Sequence, residues 1–120
     1  MAYSSAQISF SLVVYNHTYE SIQELVQTVL DFENTHSLYL IDNSPKDKIK
    51  SSLPIHKKLQ YVFNNQNLGY GKAHNVAIKK ILNNTNYHLV LNPDIVFEGK
   101  ALQKMLAFLE QHPNIGLLMP

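Results

Sequence analysis

The stretch HLVLNPD, residues 88–94, decides the fold of this chain. Its apolar part predicts a short buried strand, and its polar end places the carboxylate of Asp94 just beyond that strand. A second apolar turn, Ile95-Val96-Phe97, follows. Because ligands bind at the carboxyl edge of the strands in an open α/β sheet, Asp94 is a candidate ligand-binding residue. It is equally a candidate turn residue, since aspartate is favoured in turns.

The composition indicates one soluble globular domain. The chain has 120 residues, of which 45% are hydrophobic and 16% are charged. A net charge of +1 without a run of like charges gives no electrostatic footprint for nucleic acid or for an anionic membrane surface. We therefore expect no nucleic-acid partner.

The chain has no cysteine, which excludes disulfide frameworks, thiolate metal sites and cysteine nucleophiles. The N-terminus lacks a basic start and a long apolar region, and no apolar run approaches the ~18 residues that a spanning helix needs. The sequence thus predicts a cytoplasmic protein, and it leaves open a peripheral attachment to the inner face of the membrane. The six histidines show no metal-ligand spacing, so we interpret most of them as surface or capping residues and expect no zinc site.

Strand and helix patterns alternate along the chain. Apolar runs predict strands at Ile8–Tyr15, Leu38–Ile41, Leu59–Phe63 and residues 88–91, with the start of a fifth at Ile115–Met119. Helical spacing of apolar residues follows the first, third and fourth of these runs. The first helix begins either at a Thr18 cap or at a capping box of Ser21 and Glu24. Residues 45–58 are predicted to form an exposed connection with one helical turn.

This alternation predicts an α/β fold, a mostly parallel sheet with helices on both faces. We expect a single α/β domain over residues 1–120. Because Pro120 follows an apolar run with nothing after it to cover the sheet, we interpret the chain as the N-terminal fragment of a longer protein. The alternative is a small domain that completes its sheet with a partner chain.

Polar residues follow three of the predicted strands, where each strand ends. They are Tyr15 and Asn16 after the first, Asp42 and Asn43 after the second, and Asn92 with Asp94 after the fourth. Each residue alone could simply cap a turn. Because the carboxyl ends of adjacent parallel strands converge, we expect these side chains to share one crevice.

A Gly-x-Gly turn formed by Gly69 and Gly71 precedes the second predicted helix. Free N–H groups and the helix dipole at such a start favour an anion such as phosphate, but a plain glycine turn explains the motif equally well. A dinucleotide fingerprint would need a third glycine where this chain has His74, and no P-loop is present.

Four motifs in register resemble the N-terminal half of family 2 glycosyltransferases of the GT-A fold, especially the rhamnosyltransferase-like branch. They are Ser11 to Asn16, Leu40 to Ser44, Asn67 to Gly71 with Asn75, and Leu91 to Asp94. The resemblance covers nearly the whole chain and implies the Rossmann-like half of a nucleotide-diphospho-sugar transferase.

The resemblance implies a nucleotide-sugar site. Asp94 would bind Mg²⁺ or Mn²⁺ bridging the diphosphate, because a hard cation prefers carboxylate and phosphate oxygens. Asp42 would contact the base or ribose. The other residues implied to line the nucleotide are Tyr15, Asn16, Asn43, Gly69, Gly71, Asn75 and Asn92. Asn92 replaces the first acid of the family's Asp-x-Asp pattern, so we expect weaker metal affinity.

The implied activity is that of an inverting hexosyltransferase acting in cell-surface polysaccharide synthesis. A UDP- or dTDP-linked sugar would be the donor, and a saccharide or lipid-linked hydroxyl would be the acceptor. The family's general base is an acid well downstream of Asp94, so we expect these 120 residues alone to be inactive.

Two other interpretations compete with this one. The first is a non-catalytic α/β module that forms a homo-oligomer through the unfinished sheet edge at Ile115–Met119. The second, less favoured, is a sugar nucleotidyltransferase. That class carries a glycine-rich, basic signature near the first strand, where this chain has Asn16-His17-Thr18.

Overall fold

The computed structural model describes residues 6–65, 69–80, 86–95 and 97–112. Its elements follow the predicted alternation of strands and helices. In chain order they are β1 (Ile8–Val14), α1 (Tyr19–Asp31), β2 (Thr35–Asp42), a 3₁₀ turn (Lys50–Ser52), β3 (Leu59–Phe63), α2 (Tyr70–Lys80), β4 (Tyr87–Leu91) and α3 (Gly99–Gln111).

The four described strands form one parallel sheet in the order β3-β2-β1-β4. Leu102 and Leu106 of α3 belong to the same core cluster as the apolar side of α1, whereas Ala73 of α2 packs with Val13 and Ile41 in a separate cluster. Helices therefore cover both faces of the sheet, which confirms the predicted α/β fold.

β1 is the centre of the sheet, and all seven of its residues are buried. Because side chains alternate along a strand, Phe10 and Leu12 enter the core beneath α1 and α3, whereas Ser11 and Val13 face α2. Its pairing with β2 on one side and β4 on the other leaves no free edge. The strand predicted at Ile8–Tyr15 is therefore present as β1, one residue shorter at its end.

α1 begins at the earlier of the two predicted caps. The Thr18 side chain accepts a hydrogen bond from the Ser21 backbone N–H at 3.3 Å, and the Ser21 hydroxyl donates to the Thr18 carbonyl oxygen at 2.7 Å. The predicted apolar residues of the helix all face the core: Ile22, Leu25, Val26, Val29 and Leu30.

β2 begins earlier than the sequence predicts, at Thr35 instead of Leu38. Its first residues are polar, so no apolar run marks them in the sequence, yet Thr35 and Ser37 are buried. The Thr35 hydroxyl donates to the Val29 carbonyl oxygen at 2.7 Å, so this buried polar group has a hydrogen-bond partner. The single predicted turn within residues 45–58 is the 3₁₀ turn.

The fifth strand predicted at Ile115–Met119 lies outside the described residues, and so does Asn83-Asn84, which follows the second predicted helix in the sequence. None of the helices within the described ranges is both long and apolar enough to span a membrane.

Candidate functional site

The ends of β1 and β2 are joined by backbone hydrogen bonds. Val14 lies opposite Asp42 in the sheet, and the Asn43 N–H donates to the Val14 carbonyl oxygen at 2.9 Å. One step further along, the Asn16 N–H donates to the Ser44 hydroxyl oxygen at 2.7 Å. The structure thus brings Asn16, Asp42 and Asn43 together, as the convergence of strand ends predicted.

The Asp42 carboxylate is held at both of its oxygens. Oδ1 accepts the Ser44 backbone N–H at 2.9 Å, and Oδ2 accepts the Tyr61 hydroxyl at 2.6 Å. The side chain is only 1% exposed, and a carboxylate buried to that degree needs such donors. Burial and the hydrogen bond to Asp42 raise the pKa of Tyr61, so its hydroxyl stays protonated and keeps donating.

The end of β3 completes this group of strand ends. The Asn64 backbone N–H donates to the Asp42 carbonyl oxygen at 2.9 Å, and the Asn64 side-chain amide donates to Asn43 Oδ1 at 2.8 Å. Asn43 is 2% exposed, so its oxygen would be costly to bury without this donor. We name the group Asn16, Asp42, Asn43, Ser44, Tyr61 and Asn64 the strand-end network.

Sequence reasoning missed three members of the strand-end network as site residues: Ser44, Tyr61 and Asn64. Asn64 carried a signal, because it follows β3 directly, as Asn43 follows β2. Ser44 carried one too, since serine commonly hydrogen-bonds nearby backbone groups in turns. Tyr61 carried none, because only the register of β3 against β2 places it near Asp42.

A groove of about 590 Å³ opens beside the strand-end network, between the β1–α1 connection and the segment after β2. Asn16, Asp42 and Ser44 line it from the sheet, and Lys46 and Lys48 line it from the connection. Both lysines are exposed. The groove therefore combines a fixed carboxylate with exposed positive charges, a combination suited to a ligand that carries both N–H or O–H donors and negative charge.

Tyr15 is 50% exposed and lies next to Asn16. Its backbone N–H donates to His17 Nδ1 at 3.0 Å, which closes the turn after β1. The tyrosine ring is thus available at the edge of the sheet for stacking, a use common for exposed aromatic side chains at binding sites.

Asn92 and Asp94 form a turn of their own after β4. The Asp94 N–H donates to Asn92 Oδ1 at 3.0 Å, and the Ile95 N–H donates to the Asn92 carbonyl oxygen at 3.1 Å. This is the turn role that asparagine favours, and it leaves the Asp94 side chain exposed. Because Leu91 lies opposite Leu12 in β1, the turn lies at the same sheet edge as the strand-end network.

Few of the described side chains could serve as metal ligands. Across the described parts of the chain, no group of three or more histidine, aspartate or glutamate side chains could enclose an ion. A single exposed carboxylate at Asp94 nevertheless fits Mg²⁺, which keeps several waters and is often bound by one or two carboxylates together with substrate phosphates. The residues present fit an ion shared with a bound phosphate and do not form a protein cage.

The predicted glycine turn leads directly into α2. Gly69 has a φ of +80°, which favours glycine, and its carbonyl oxygen accepts the Ala73 N–H at 3.1 Å. Gly71 and Asn75 are exposed on the first turns of the helix. Gly69 thus directly precedes α2, and Gly71 and Asn75 lie on it.

Two histidines depart from the interpretation as surface or capping residues. His74 of α2 is buried and His88 of β4 is partly buried, and Ser11 joins them: its Oγ lies 2.5 Å from His74 Nδ1 and 2.8 Å from His88 Nε2. His88 Nδ1 lies 2.8 Å from Ser9 Oγ. Burial lowers the pKa of both histidines to about 4, and for His88 the neighbouring His74 adds to the effect. We name these four residues the histidine–serine chain.

The sequence of this chain is similar to that of a known protein family. The sequence model described as "Glycosyl transferase family 2" matches residues 9–119. No curated protein matches the chain in sequence.

Solved structures share the fold. The structure of CMP:2-keto-3-deoxy-manno-octonic acid synthetase complexed with CTP is similar with a TM-score of 0.70 and 7% identity, over 92% of this chain and 50% of that one. S. aureus TarS is similar with a TM-score of 0.65 and 20% identity, over 95% of this chain and 23% of that one. The chain thus spans half or less of the length of these structures.

Proposed function

Because the chain belongs to glycosyl transferase family 2, we propose that it forms the donor-binding part of an enzyme that transfers a sugar from a nucleoside diphosphate sugar to an acceptor hydroxyl. The observation that carries this proposal is the strand-end network. It fixes the Asp42 carboxylate beside a groove, at the same sheet edge as the exposed Asp94.

In this proposal Asp42 receives a donor group of the base or the ribose. A carboxylate has about four acceptor positions, and the protein donors Ser44 and Tyr61 use two of them. Asp42 borders the groove although little of it is exposed, and in the proposal its two remaining acceptor positions face the ligand there. Tyr15 stacks on the nucleoside, and Asn16 and Asn43 shape the wall beside it. Gly69, just before α2, and Gly71 and Asn75 on that helix border the nucleotide.

Asp94 is the proposed ligand of a divalent cation, Mg²⁺ or Mn²⁺, shared with the donor's diphosphate. Such an ion neutralises the charge of the leaving nucleoside diphosphate. Asn92 contributes no charge, and its side-chain oxygen already accepts the Asp94 N–H. We therefore expect the cation to bind weakly without nucleotide and more tightly with it.

The proposed reaction is a direct displacement with inversion. The acceptor oxygen forms a bond to the anomeric carbon, the bond to the diphosphate oxygen breaks, and a base takes the acceptor proton. We assign that base to none of the described residues. The proposed donors are UDP- or dTDP-linked hexoses, and the proposed acceptor is a saccharide or lipid-linked hydroxyl in cell-surface polysaccharide synthesis, as in the rhamnosyltransferase-like branch.

Calorimetric titration of the chain with UDP and with dTDP, each with and without Mn²⁺, tests this site. We expect Asp94→Asn to abolish most of the Mn²⁺ dependence of nucleotide affinity, because the variant loses the only charge that we assign to the ion. We expect Asp42→Asn to weaken nucleotide binding about tenfold at any Mn²⁺ concentration, equivalent to ~1.4 kcal/mol, because a charged acceptor becomes neutral.

Asp31→Asn is the matched control, since it makes the same change on an exposed residue at the end of α1 and should leave both affinities unchanged. Nucleotide binding that is absent, or that is indifferent to both Asp42→Asn and Asp94→Asn, contradicts the proposal. Self-association through Ile115–Met119 concerns residues outside the described ranges, so it stays a prediction and we do not advance it as a second function.

A further inference from the structure

We infer that Tyr61 is a positioning residue for the nucleoside, because its hydroxyl fixes the direction in which the Asp42 carboxylate presents its remaining acceptor positions to the groove. The inference rests on the proposed function and assigns a role within the same site. It concerns a side chain on the neighbouring strand that does not line the groove itself.

The sheet register places the two side chains together. Tyr61 of β3 lies opposite Leu40 of β2, and Asp42 is two residues further along β2. Since side chains alternate along a strand, Leu40, Asp42 and Tyr61 lie on the same face of the sheet, with Tyr61 and Asp42 as a diagonal pair. The distance from the Tyr61 hydroxyl oxygen to Asp42 Oδ2 is 2.6 Å, a short bond typical of a hydroxyl on a carboxylate.

Tyr61 and Ser44 together clamp the carboxylate. Ser44 donates its backbone N–H to Oδ1, whereas Tyr61 donates to Oδ2. Rotation of the carboxylate about its bond to Cβ would break both bonds at once. The Tyr61 ring packs against the main core cluster, so its hydroxyl is held in place from behind. The free acceptor positions of Asp42 therefore have fixed directions before any ligand arrives.

This clamp acts on the nucleoside and not on the diphosphate. The N–H and O–H donors that a carboxylate recognises belong to the base and the ribose, whereas a diphosphate offers acceptors only. Removing the Tyr61 hydroxyl leaves Oδ2 of the buried Asp42 carboxylate without its donor. The carboxylate then rotates toward another donor or accepts a hydrogen bond from water. Recognition of the nucleoside should then weaken while recognition of the diphosphate stays the same.

Tyr61→Phe tests this role, because phenylalanine keeps the ring in the core and removes only the hydroxyl. Calorimetry would compare two probes in the presence of Mn²⁺: the nucleoside diphosphate, UDP or dTDP, that binds the wild-type chain more tightly, and inorganic pyrophosphate. We expect the nucleoside diphosphate to bind the variant about tenfold more weakly and pyrophosphate to bind it with unchanged affinity.

Tyr39→Phe is the matched control, since Tyr39 packs with the cluster beneath α2 on the other face of the sheet. It should change neither affinity. An amide NMR spectrum of Tyr61→Phe should show a folded chain with its largest shifts at Ser44 and Asn43, the backbone neighbours of Asp42.

Two results overturn the role of Tyr61: unchanged affinity of Tyr61→Phe for the nucleoside diphosphate, or equal losses for both probes, which would indicate a structural defect only. A wild-type chain that binds no nucleoside diphosphate overturns the proposed function and, with it, this role. The binding of the wild-type chain thus separates failure of the proposed function from failure of the inference about Tyr61 alone.

Discussion

At the end of β1 the chain turns on one residue, Asn16, which has a φ of +56°. Asparagine tolerates this left-handed conformation better than most side chains do. Its N–H is thereby directed to the Ser44 hydroxyl oxygen. The residue that the sequence marked as a site residue thus has a structural duty as well, because its conformation joins the ends of β1 and β2.

Replacing Asn16 tests whether its conformation stabilises the turn. Asn16→Gly should leave the free energy of unfolding within about 0.5 kcal/mol of wild type, since glycine adopts positive φ freely. Asn16→Ala should lower it by about 1 kcal/mol, because alanine is strained in this conformation. Urea denaturation measures both. A variant with alanine that is as stable as the one with glycine would show that the turn does not depend on this conformation.

At the scale of elements, α2 is held to the sheet by polar contacts as well as apolar ones. One arrangement of protons satisfies the histidine–serine chain with both rings neutral. His74 Nδ1–H donates to Ser11, the Ser11 hydroxyl donates to His88 Nε2, and His88 Nδ1–H donates to Ser9. The Ser9 hydroxyl then donates to the Tyr87 carbonyl oxygen at 3.4 Å. A proton added to His88 enters at Nε2, which can then no longer accept from Ser11, so it breaks this sequence of donors and acceptors. A proton added to His74 enters at Nε2 and leaves these bonds intact, so it is opposed by burial.

The histidine–serine chain makes stability depend on pH. Burial lowers the pKa of His74 and His88 to about 4 from an ordinary value of 6.5. The stabilisation is therefore present above pH 6.5 and is lost as the pH falls toward 4. Over this range the two histidines bind protons in the unfolded chain and stay neutral in the folded chain. Each histidine should lower the free energy of unfolding by roughly 2 kcal/mol between pH 7 and pH 5.

Urea denaturation at pH 7 and pH 5 measures this loss. We expect His88→Gln to remove about half of the pH dependence, whatever its effect on stability at pH 7. The control His36→Gln changes an exposed histidine and should keep the full pH dependence. Equal stability of the wild-type chain at the two pH values would contradict neutral burial of the pair. Because α2 also carries Gly71 and Asn75, acid that loosens this helix should weaken nucleotide binding as well.

For the whole molecule, the sequence predicted what depends on local pattern. The apolar run of β1, the Thr18 cap of α1 and the polar residues after three of the strands are all visible in short windows, and the parallel sheet follows from the alternation of strands and helices. What could not be predicted depends on register between distant segments. The contact of Tyr61 with Asp42 and the contacts of Ser11 with His74 and His88 join residues from different strands and helices.

The early start of β2 is a second feature that local sequence could not predict. Thr35 and Ser37 are buried because β1 pairs with them and because Thr35 has a partner in α1. Neither condition is visible in the local sequence, where the apolar run begins only at Leu38. The pattern of hydrophobic residues predicts the core. Buried polar residues cannot be predicted in this way, because their hydrogen-bond partners come from distant segments of the fold.

The central claim is that the carboxyl edge of this sheet binds a nucleoside diphosphate. The most direct test is an amide NMR titration of the chain with UDP or dTDP and Mg²⁺. The account predicts that shifts concentrate at Asn16, Asn43, Ser44 and Asp94, while Gln7 and Asn34 at the opposite edge stay unchanged. Shifts that centre on Gln7 and Asn34, or no shifts at millimolar nucleotide, would contradict it.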